Sequence, residues 1–344
     1  MRIAILWQGL SGYLLSWVTA LTGKGCTVLL IHTEKSNDAP FNLKFHSDRA
    51  SLYSLENISR EELLDKIRNF NPDIVLISSW HLFKYRYVAK RVEALRILCM
   101  DNQWHATLKQ LLGVLARRII IKPLYDRALV PGYQQRIFAR KLGFKNYEIW
   151  NGMLSADYNS FSSIVLPRKN EFLFVGRVVK EKGVELLIEA YADYRKKSHD
   201  PFDLKVCGTG NLSELLKGRE GIIWGGFKQP AELPAIYNSS KIFIMPSTFE
   251  PWGVAIHEAA ISGLMIIASD ACGAVEYLVE DGWNGFIVPS GNLEALSSAM
   301  LQAEMRVQRE FEVISRRSKV LSERYSPDQW AENILRHLRQ EFRA

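Results

Sequence analysis

At 344 residues the chain is too long for one ordinary hydrophobic core and fits two domains of roughly 150 residues each, which excludes a single small binding module. With 47% of residues apolar, 11% aromatic and 24% charged, it has the composition of a folded globular protein, and neither a disordered nor a fibrous chain fits. The formal charge of +7 is uneven: residues 1–151 hold 22 Lys and Arg against 12 Asp and Glu, a net of +10, and the remainder 22 against 25, a net of −3, so an acidic partner would meet the N-terminal half.

Short apolar strand segments alternate with amphipathic helix segments from end to end, the pattern of parallel α/β layers. The first strand, Ile3 to Leu6, follows directly on Met1 with no basic leader, long apolar region or small-residue cleavage site, so no secretory leader is expected. Gln8-Gly9-Leu10-Ser11-Gly12 follows it and leads into a helix from Tyr13 to Leu21. This loop falls short of G-x-G-x-x-G, although Glu34, after the next strand (Thr27 to Ile31), stands near where a dinucleotide fold keeps its ribose acid. A nicotinamide dehydrogenase is therefore not excluded by this region alone. A helix from Arg60 to Asn69 precedes the strand Ile74 to Ser78, and further strands run from Arg96 to Met100, Ala128 to Val130 and Glu148 to Trp150.

Between the fourth and fifth of these strands, Trp104 to Ile121 sets Leu108, Leu111, Leu112, Leu115 and Ile119 at helical spacing beside Lys109, Arg117, Arg118 and Lys122. With Lys84, Arg86, Lys90 and Arg91 earlier in the same half, the segment fits a membrane-interface helix. It fits equally a core-facing helix with solvated Arg ends. No stretch approaches the 18 consecutive apolar residues of a membrane span.

A boundary is expected near Gly152, because Leu154 to Asn170 is rich in Ser, Asn, Pro and charge and has no sustained period, as in a linker. The strand–helix rhythm then restarts at Phe172 to Val175 and continues with Leu204 to Cys207, Ile222 to Trp224, Ile242 to Met245 and Met265 to Ala268. Ser326-Pro327 reads as an N-cap and first-turn proline, and Trp330, Ile334 and Leu338 give the final helix an apolar stripe that must pack on something. Cys26, Cys99, Cys207 and Cys272 sit in or beside apolar strands without zinc-type spacing, which predicts buried thiols and a cytoplasmic setting.

In doubly wound sheets, ligands bind beyond the carboxyl ends of the strands, and two loops of the second half carry chemistry there. After Met245 the chain reads Pro246-Ser247-Thr248-Phe249-Glu250-Pro251-Trp252-Gly253-Val254-Ala255-Ile256-His257-Glu258. A helix starting near Gly253 places free backbone N–H groups, suited to phosphate, between two carboxylates, and a carboxylate suits a vicinal diol such as ribose. After Val175 the chain reads Gly176-Arg177-Val178-Val179-Lys180-Glu181-Lys182-Gly183, so Arg177 and Lys182 can converge on a diphosphate. Each carboxylate or cation alone would also fit an ordinary solvated surface. Cys207-Gly208-Thr209-Gly210 and Gly225-Gly226-Phe227-Lys228 could let backbone approach a nucleotide, or could be plain turns. A dehydrogenase has no use for these loops. His81, His105 and His257 are candidate catalytic or structural histidines. No H-x-x-x-H, Cys cluster or D-x-D is present, so no metal site is expected.

The two glutamates eight apart after Pro-Ser, the Gly-Arg loop with its lysine, and the stretch from Phe172 to Pro289 with Glu276, Gly282 and Gly285 together resemble a retaining GT-B glycosyltransferase of the large family 4, or group 1, type. The resemblance implies an α/β fold of two Rossmann-like doubly wound parallel-sheet domains facing across a cleft. Residues 1–152 plus the C-terminal helix 327–344 would form the acceptor-binding domain, and residues 153–326 the nucleotide-sugar domain. Carried over to this chain, it implies that Arg177 and Lys182 bind the donor diphosphate, Glu250 the hydroxyls of the transferred sugar and Glu258 the ribose. Backbone at Gly253, Val254 and Ala255 would meet phosphate and Phe227 the base; Gly176 and Gly208 would let backbone close on the donor, and Gly9 would meet phosphate or acceptor. Asp101 stands where the family often has a His, with His105 one helical turn later, and these two are the acceptor-side catalytic candidates.

The implied reaction moves a hexose-type sugar, with retention, from a UDP-sugar (or GDP-sugar) to a hydroxyl of a lipid-linked or cell-surface polysaccharide or glycolipid intermediate. It would need no cofactor and no metal. A nucleic-acid partner is not expected; a cytoplasmic location, peripheral on an anionic inner membrane face, is. The alternatives are a nucleotide-sugar epimerase of the same fold and a non-catalytic nucleotide-sugar or membrane-binding protein.

Overall fold

The computed structural model describes residues 1–33, 43, 45–164 and 166–342; Glu34 lies outside the described residues. The chain forms two compact units, Met1–Ser155 with Pro327–Ala344, and Ala156–Ser326. The division falls three residues beyond Gly152 because Met153 and Leu154 are buried in the first unit and Ser155 accepts a hydrogen bond there from the Trp17 indole at 2.9 Å.

In the first unit β1 (Arg2–Trp7), α1 (Gly12–Gly23), β2 (Thr27–His32), β3 (Ala50–Ser54), α2 (Arg60–Phe70), β4 (Ile74–Ile77), α3 (Phe83–Ala89), β5 (Leu95–Cys99), α4 (Leu108–Ile120), β6 (Arg127–Val130), α5 (Tyr133–Lys141) and β7 (Ile149–Asn151) build one parallel sheet of order β3-β2-β1-β4-β5-β6-β7. Its central strands are apolar at successive positions, as in β4, where all four residues are buried, because helices cover both faces. α2 starts on a reciprocal cap: Ser59 Oγ accepts from Glu62 N–H, and the Glu62 carboxylate accepts from Ser59 N–H at 2.7 Å. The sequence reading has no counterpart to β3. Its five residues, Ala-Ser-Leu-Tyr-Ser, lie at the sheet edge with none buried, so no apolar run marks them.

In the second unit α6 (Tyr158–Ser162), β8 (Lys169–Val175), α7 (Val184–Lys197), β9 (Asp203–Cys207), β10 (Ile222–Trp224), α8 (Leu233–Asn238), β11 (Ser240–Met245), α9 (Val254–Ile261), β12 (Met265–Ser269), α10 (Val275–Leu278), β13 (Gly285–Val288) and α11 (Leu293–Glu323) build a second parallel sheet, β10-β9-β8-β11-β12-β13. The segment Leu154 to Asn170 is therefore not a plain linker. It holds α6, whose first turn is capped by the Asp157 carboxylate, and the first two residues of β8. α11 kinks at Glu310, which has non-helical backbone angles. The last helix, α12 (Pro327–Glu341), buries Trp330, Ile334 and Leu338. Trp330 stacks on Trp17 of α1 at 4.5 Å, and Glu341 accepts two hydrogen bonds from the Arg127 guanidinium, a forked charge-assisted pair.

Candidate active site

Each sheet has a switch point where strand order reverses: between β1 and β4 in the first unit, and between β8 and β11 in the second. The crevice beyond the carboxyl ends of such a strand pair is where doubly wound folds bind ligands.

In the second unit the loops leaving β8 and β11 are zipped together. Thr248 N–H and Phe249 N–H donate to the Glu181 carbonyl at 2.9 and 3.3 Å. Gly183, at φ +69°, passes so close to the Pro246 carbonyl oxygen that a Cβ would sit 2.2 Å from it; only glycine tolerates both the angle and the contact. This zipper brings the Lys182 ammonium onto the Glu250 carboxylate in an ion pair whose side chains are only 14% and 12% exposed. The two residues are 68 apart in sequence and come from the two strands of the switch point.

Two residues past Glu250 the backbone turns through Trp252 to Gly253, which caps α9 at φ +98°. No side chain caps α9, so its first backbone N–H groups, at Val254 and Ala255, present the positive end of the helix to the crevice. Glu258 follows one turn on, half-buried. Burial pushes its carboxyl up to about 7 and the Asp157 charge adds to this, while the neighbouring Tyr237 hydroxyl, which makes no hydrogen bond of ordinary geometry, pulls it partly back. His257 is not part of this wall. It is fully buried, about 100° around α9 from Glu258, and its Nδ1 accepts from Ala156 N–H at 2.9 Å while its Nε2–H donates to the Ser322 carbonyl at 3.1 Å.

The weaker glycine loops are more than turns. A Cβ on Gly208 would lie 1.8 Å from the Gly176 carbonyl oxygen, and one on Gly210 2.2 Å from that of Val178. Val178 N–H donates to the Thr209 carbonyl at 2.9 Å, and Gly208 N–H to the Gly226 carbonyl at 2.8 Å. The loops after β8, β9 and β10 thus stack backbone on backbone, with Arg177 exposed at their outer edge and Phe227 half-buried beside Gly226.

At the switch point of the first unit, a pocket of ≈ 270 Å³ is lined by Trp7, Gln8, Tyr13, Ser78–His81, Leu98–Asn102, Met153 and Leu154. Gln8 N–H donates to Ser78 Oγ at 3.0 Å, Ser79 Oγ to Gln8 Oε1 at 2.6 Å, and Gly9 N–H, at φ +76°, to Thr33 Oγ1 at 2.9 Å. Ser79 and Leu154 have the left-handed backbone that non-glycine residues seldom adopt, with φ of 56° and 69°, and such strain gathers at functional sites. Asp101 and His81 reach this pocket. His105 lies outside its lining, exposed, with its N–H bound to Gln110 Oε1 at 2.7 Å. The pocket's aromatic wall of Trp7, Tyr13 and Trp80 escapes the sequence reading; Trp7 ends β1, Trp80 follows β4 and Tyr13 is in the first turn of α1, and that placement at strand ends is the signal that could find it. Burial raises the Tyr13 phenol, and the Asp101 charge adds to the shift.

The core-facing reading of Trp104 to Ile121 does not hold: α4 begins at Leu108 and buries no residue of its own. All four cysteines are buried free thiols. Among the described residues no three His, Cys, Asp or Glu side chains group to hold a metal ion, and no helix is long and apolar enough to cross a membrane.

Residues 159–310 match the family of glycosyl transferases group 1. The alpha-D-kanosaminyltransferase of Streptomyces kanamyceticus is 30% identical over 135 residues, 37% of this chain and 34% of that protein, so the chain spans about a third of the length of such curated relatives. Among solved structures, a sucrose-phosphate synthase of Thermosynechococcus elongatus superposes with a TM-score of 0.76 at 16% identity, covering 99% of both chains. An Anabaena protein crystallised with UDP and glucose gives 0.76 at 14% identity over 98% of this chain and 99% of its own. Two Rossmann-like parallel-sheet units of this kind are the GT-B fold.

Proposed function

We propose that this GT-B protein is a metal-independent, retaining glycosyltransferase of family 4 that moves a hexose-type sugar from a UDP-sugar to an acceptor hydroxyl. The observation that carries the reading is the Lys182–Glu250 pair at the switch point of the second unit, set beside the open N-terminus of α9 and Glu258. The match of residues 159–310 to glycosyl transferases group 1 and the likeness to a structure holding UDP and glucose support it.

In this reading the donor diphosphate lies at the N-terminus of α9, against the N–H groups of Val254 and Ala255, and draws Lys182 and Arg177 onto its oxygens. Lys182 then leaves or shares Glu250, whose carboxylate becomes free to accept hydrogen bonds from the sugar. Glu258 takes the ribose diol and Phe227 the base. The bond from the anomeric carbon to the diphosphate oxygen breaks as a bond to the acceptor oxygen forms on the same face, and the acceptor proton passes to the departing diphosphate. Fixed cations and the helix dipole stabilise the charge developing on that leaving group. The first unit would hold the acceptor in the pocket that Asp101 lines, with its aromatic wall suited to a sugar ring, and the second unit the donor.

A panel of UDP- and GDP-sugars tests this through nucleotide release and thermal shift. At least one donor should stabilise the folded protein and be turned over; no binding or turnover of any donor overturns the reading, and solvent deuterium entering the donor sugar without transfer would replace it with epimerisation.

Glu258 makes a further expectation specific. A carboxyl that titrates near 7 in the free protein must lose its proton to accept two ribose hydroxyls, so donor binding should release a proton and tighten as pH rises. Donor Kd should fall about tenfold between pH 6 and pH 8, as linkage requires for one group of that pKa. Glu258→Gln should bind more weakly at pH 8 and lose the slope. Titration calorimetry in buffers of different ionisation enthalpy measures both, and a wild-type affinity flat across this range removes Glu258 from the ribose site.

A further inference from the structure

We propose that α4 is a membrane-interface helix that docks the first unit on an anionic lipid bilayer. At about 100° per residue, Gln110, Val114, Arg117 and Ile121 fall on one line of the helix and its C-cap, and this is the line held by the protein. Gln110 Nε2 donates to the Gln103 carbonyl at 2.8 Å, Val114 packs against the core, the Arg117 guanidinium sits 5.8 Å from the Trp80 ring, and Ile121 is buried.

The apolar stripe lies diametrically opposite. Leu108, Leu112, Leu115 and Ile119 are 78%, 79%, 69% and 71% exposed, and Leu111 and Ile120 are also exposed beside them. A helix serving the core of a water-soluble protein would be turned the other way.

What covers the stripe is indicated by charge. Lys109 and Arg118 fall on its two flanks. Residues 102–125 hold four Lys and Arg and no Asp or Glu; Arg117 is turned toward Trp80 and Lys122 pairs with Glu148 at 3.4 Å, which leaves Lys109 and Arg118 beside the stripe. An apolar stripe edged on both sides by cations, on a helix that carries no acid of its own, matches an acyl boundary under anionic headgroups, where such a helix lies in the plane of the interface. Not all of the basic surface joins in: Lys84 donates to the Ile58 carbonyl and Arg91 stacks on Tyr87, both at α3. The first turn of α4 is tied by Gln110 to the loop that follows Asp101, so docking through α4 would fix the Asp101 pocket close to the lipid surface.

Co-sedimentation of the full chain with vesicles tests the proposal. The protein should pellet with phosphatidylglycerol–phosphatidylcholine vesicles at low salt and not with phosphatidylcholine alone. Leu112→Glu with Leu115→Glu should weaken partitioning about a hundredfold, given the apolar area two buried leucines contribute. Lys109→Gln with Arg118→Gln should weaken it about tenfold or more and reduce the salt dependence. Unchanged thermal melting and unchanged turnover of a water-soluble acceptor in the leucine variant separate this result from loss of folding or of the proposed reaction; if that variant does not fold, Ile119→Ser takes its place. Absence of binding to anionic vesicles at low salt, or binding that the leucine changes leave intact, overturns the proposal. So does a dimer in sedimentation velocity that the leucine changes dissociate while vesicles stay unbound, which would assign the stripe to a second copy of the chain.

Discussion

Lys182→Ala should cut kcat/KM for the donor about 10³-fold or more, and Glu250→Gln should cut kcat comparably while leaving donor affinity equal or tighter. The asymmetry follows from the pair. In the free protein the Lys182 ammonium is held by the Glu250 carboxylate with both side chains nearly out of water, so the cation arrives at the diphosphate at the cost of that partner. Removing Lys182 deletes the charge that meets the leaving group, where one preorganised donor is worth roughly 3–4 kcal/mol, and leaves a shielded carboxylate repelling the incoming phosphates. Neutralising Glu250 instead frees Lys182 for phosphate, so binding survives, while the groups that orient the transferred sugar are lost. Because the two act as a unit, the double variant should be little worse than Lys182→Ala alone. Steady-state kinetics with direct donor titration separates the cases. Either single variant within threefold of wild type would remove the pair from the reaction, and a donor Kd weakened in Glu250→Gln as much as in Lys182→Ala would show that the carboxylate, too, acts through binding.

The same pair shows how far sequence carries. Glu250 and Lys182 are legible because each follows a strand that ends in a continuous apolar run, Phe172 to Val175 and Ile242 to Met245, and a buried parallel strand announces its own end. Their contact is not legible. It depends on Gly183 passing beneath the Pro246 carbonyl and on Glu181 receiving two N–H groups from the other loop, a fit between segments more than sixty residues apart. Gly208 and Gly210 read as turn residues for the same reason: their need to be glycine lies in the carbonyls of Gly176 and Val178. The edge strand β3 escapes because an exposed edge has no apolar run to betray it, and β13 because its run, Phe286 to Val288, is only three residues between Gly285 and Pro289. Of the first-unit pocket the sequence shows Asp101 and His81 but not the enclosure, whose signature is the left-handed backbone of Ser79 and Leu154, residue types that give no hint of that geometry. α4 shows the limit of periodicity itself: an amphipathic pattern tells which residues share a face, and only the structure tells that the apolar face turns outward.

His257 reads in sequence as either a catalytic or a structural histidine, placed between two glutamates at the crevice, and its expected behaviour is that of a structural residue. Its ring is fully buried, both nitrogens are engaged, and burial holds its pKa down to about 4, partly countered by the Ser322 carbonyl. A histidine whose folded pKa lies below its ordinary value of about 6.5 binds its proton more readily in the unfolded chain. Its contribution to stability is therefore fully present above pH 6.5 and is lost as pH falls from there toward 4; the span is worth roughly 3 kcal/mol. Glu258 runs the other way over part of this range: a carboxyl raised to about 7 makes the fold lose stability as pH climbs from the ordinary carboxyl value of about 4.3 toward 7. The His257 share is isolated by comparing variants at fixed pH. His257→Ala should lower the urea-unfolding free energy of the second unit at pH 7.5 by about 3–5 kcal/mol, since it opens a cavity and strands the Ala156 N–H, while the Ser322 carbonyl keeps the Tyr325 N–H. The gap to wild type should narrow by most of the histidine's titration energy at pH 4.5, where the wild-type ring is already being forced to protonate. His257→Gln, which can satisfy one of the two partners, should fall between. Donor kcat in either variant, measured well below its melting temperature, should stay within a few-fold of wild type. A large loss of turnover with stability intact would instead make His257 a member of the reacting site.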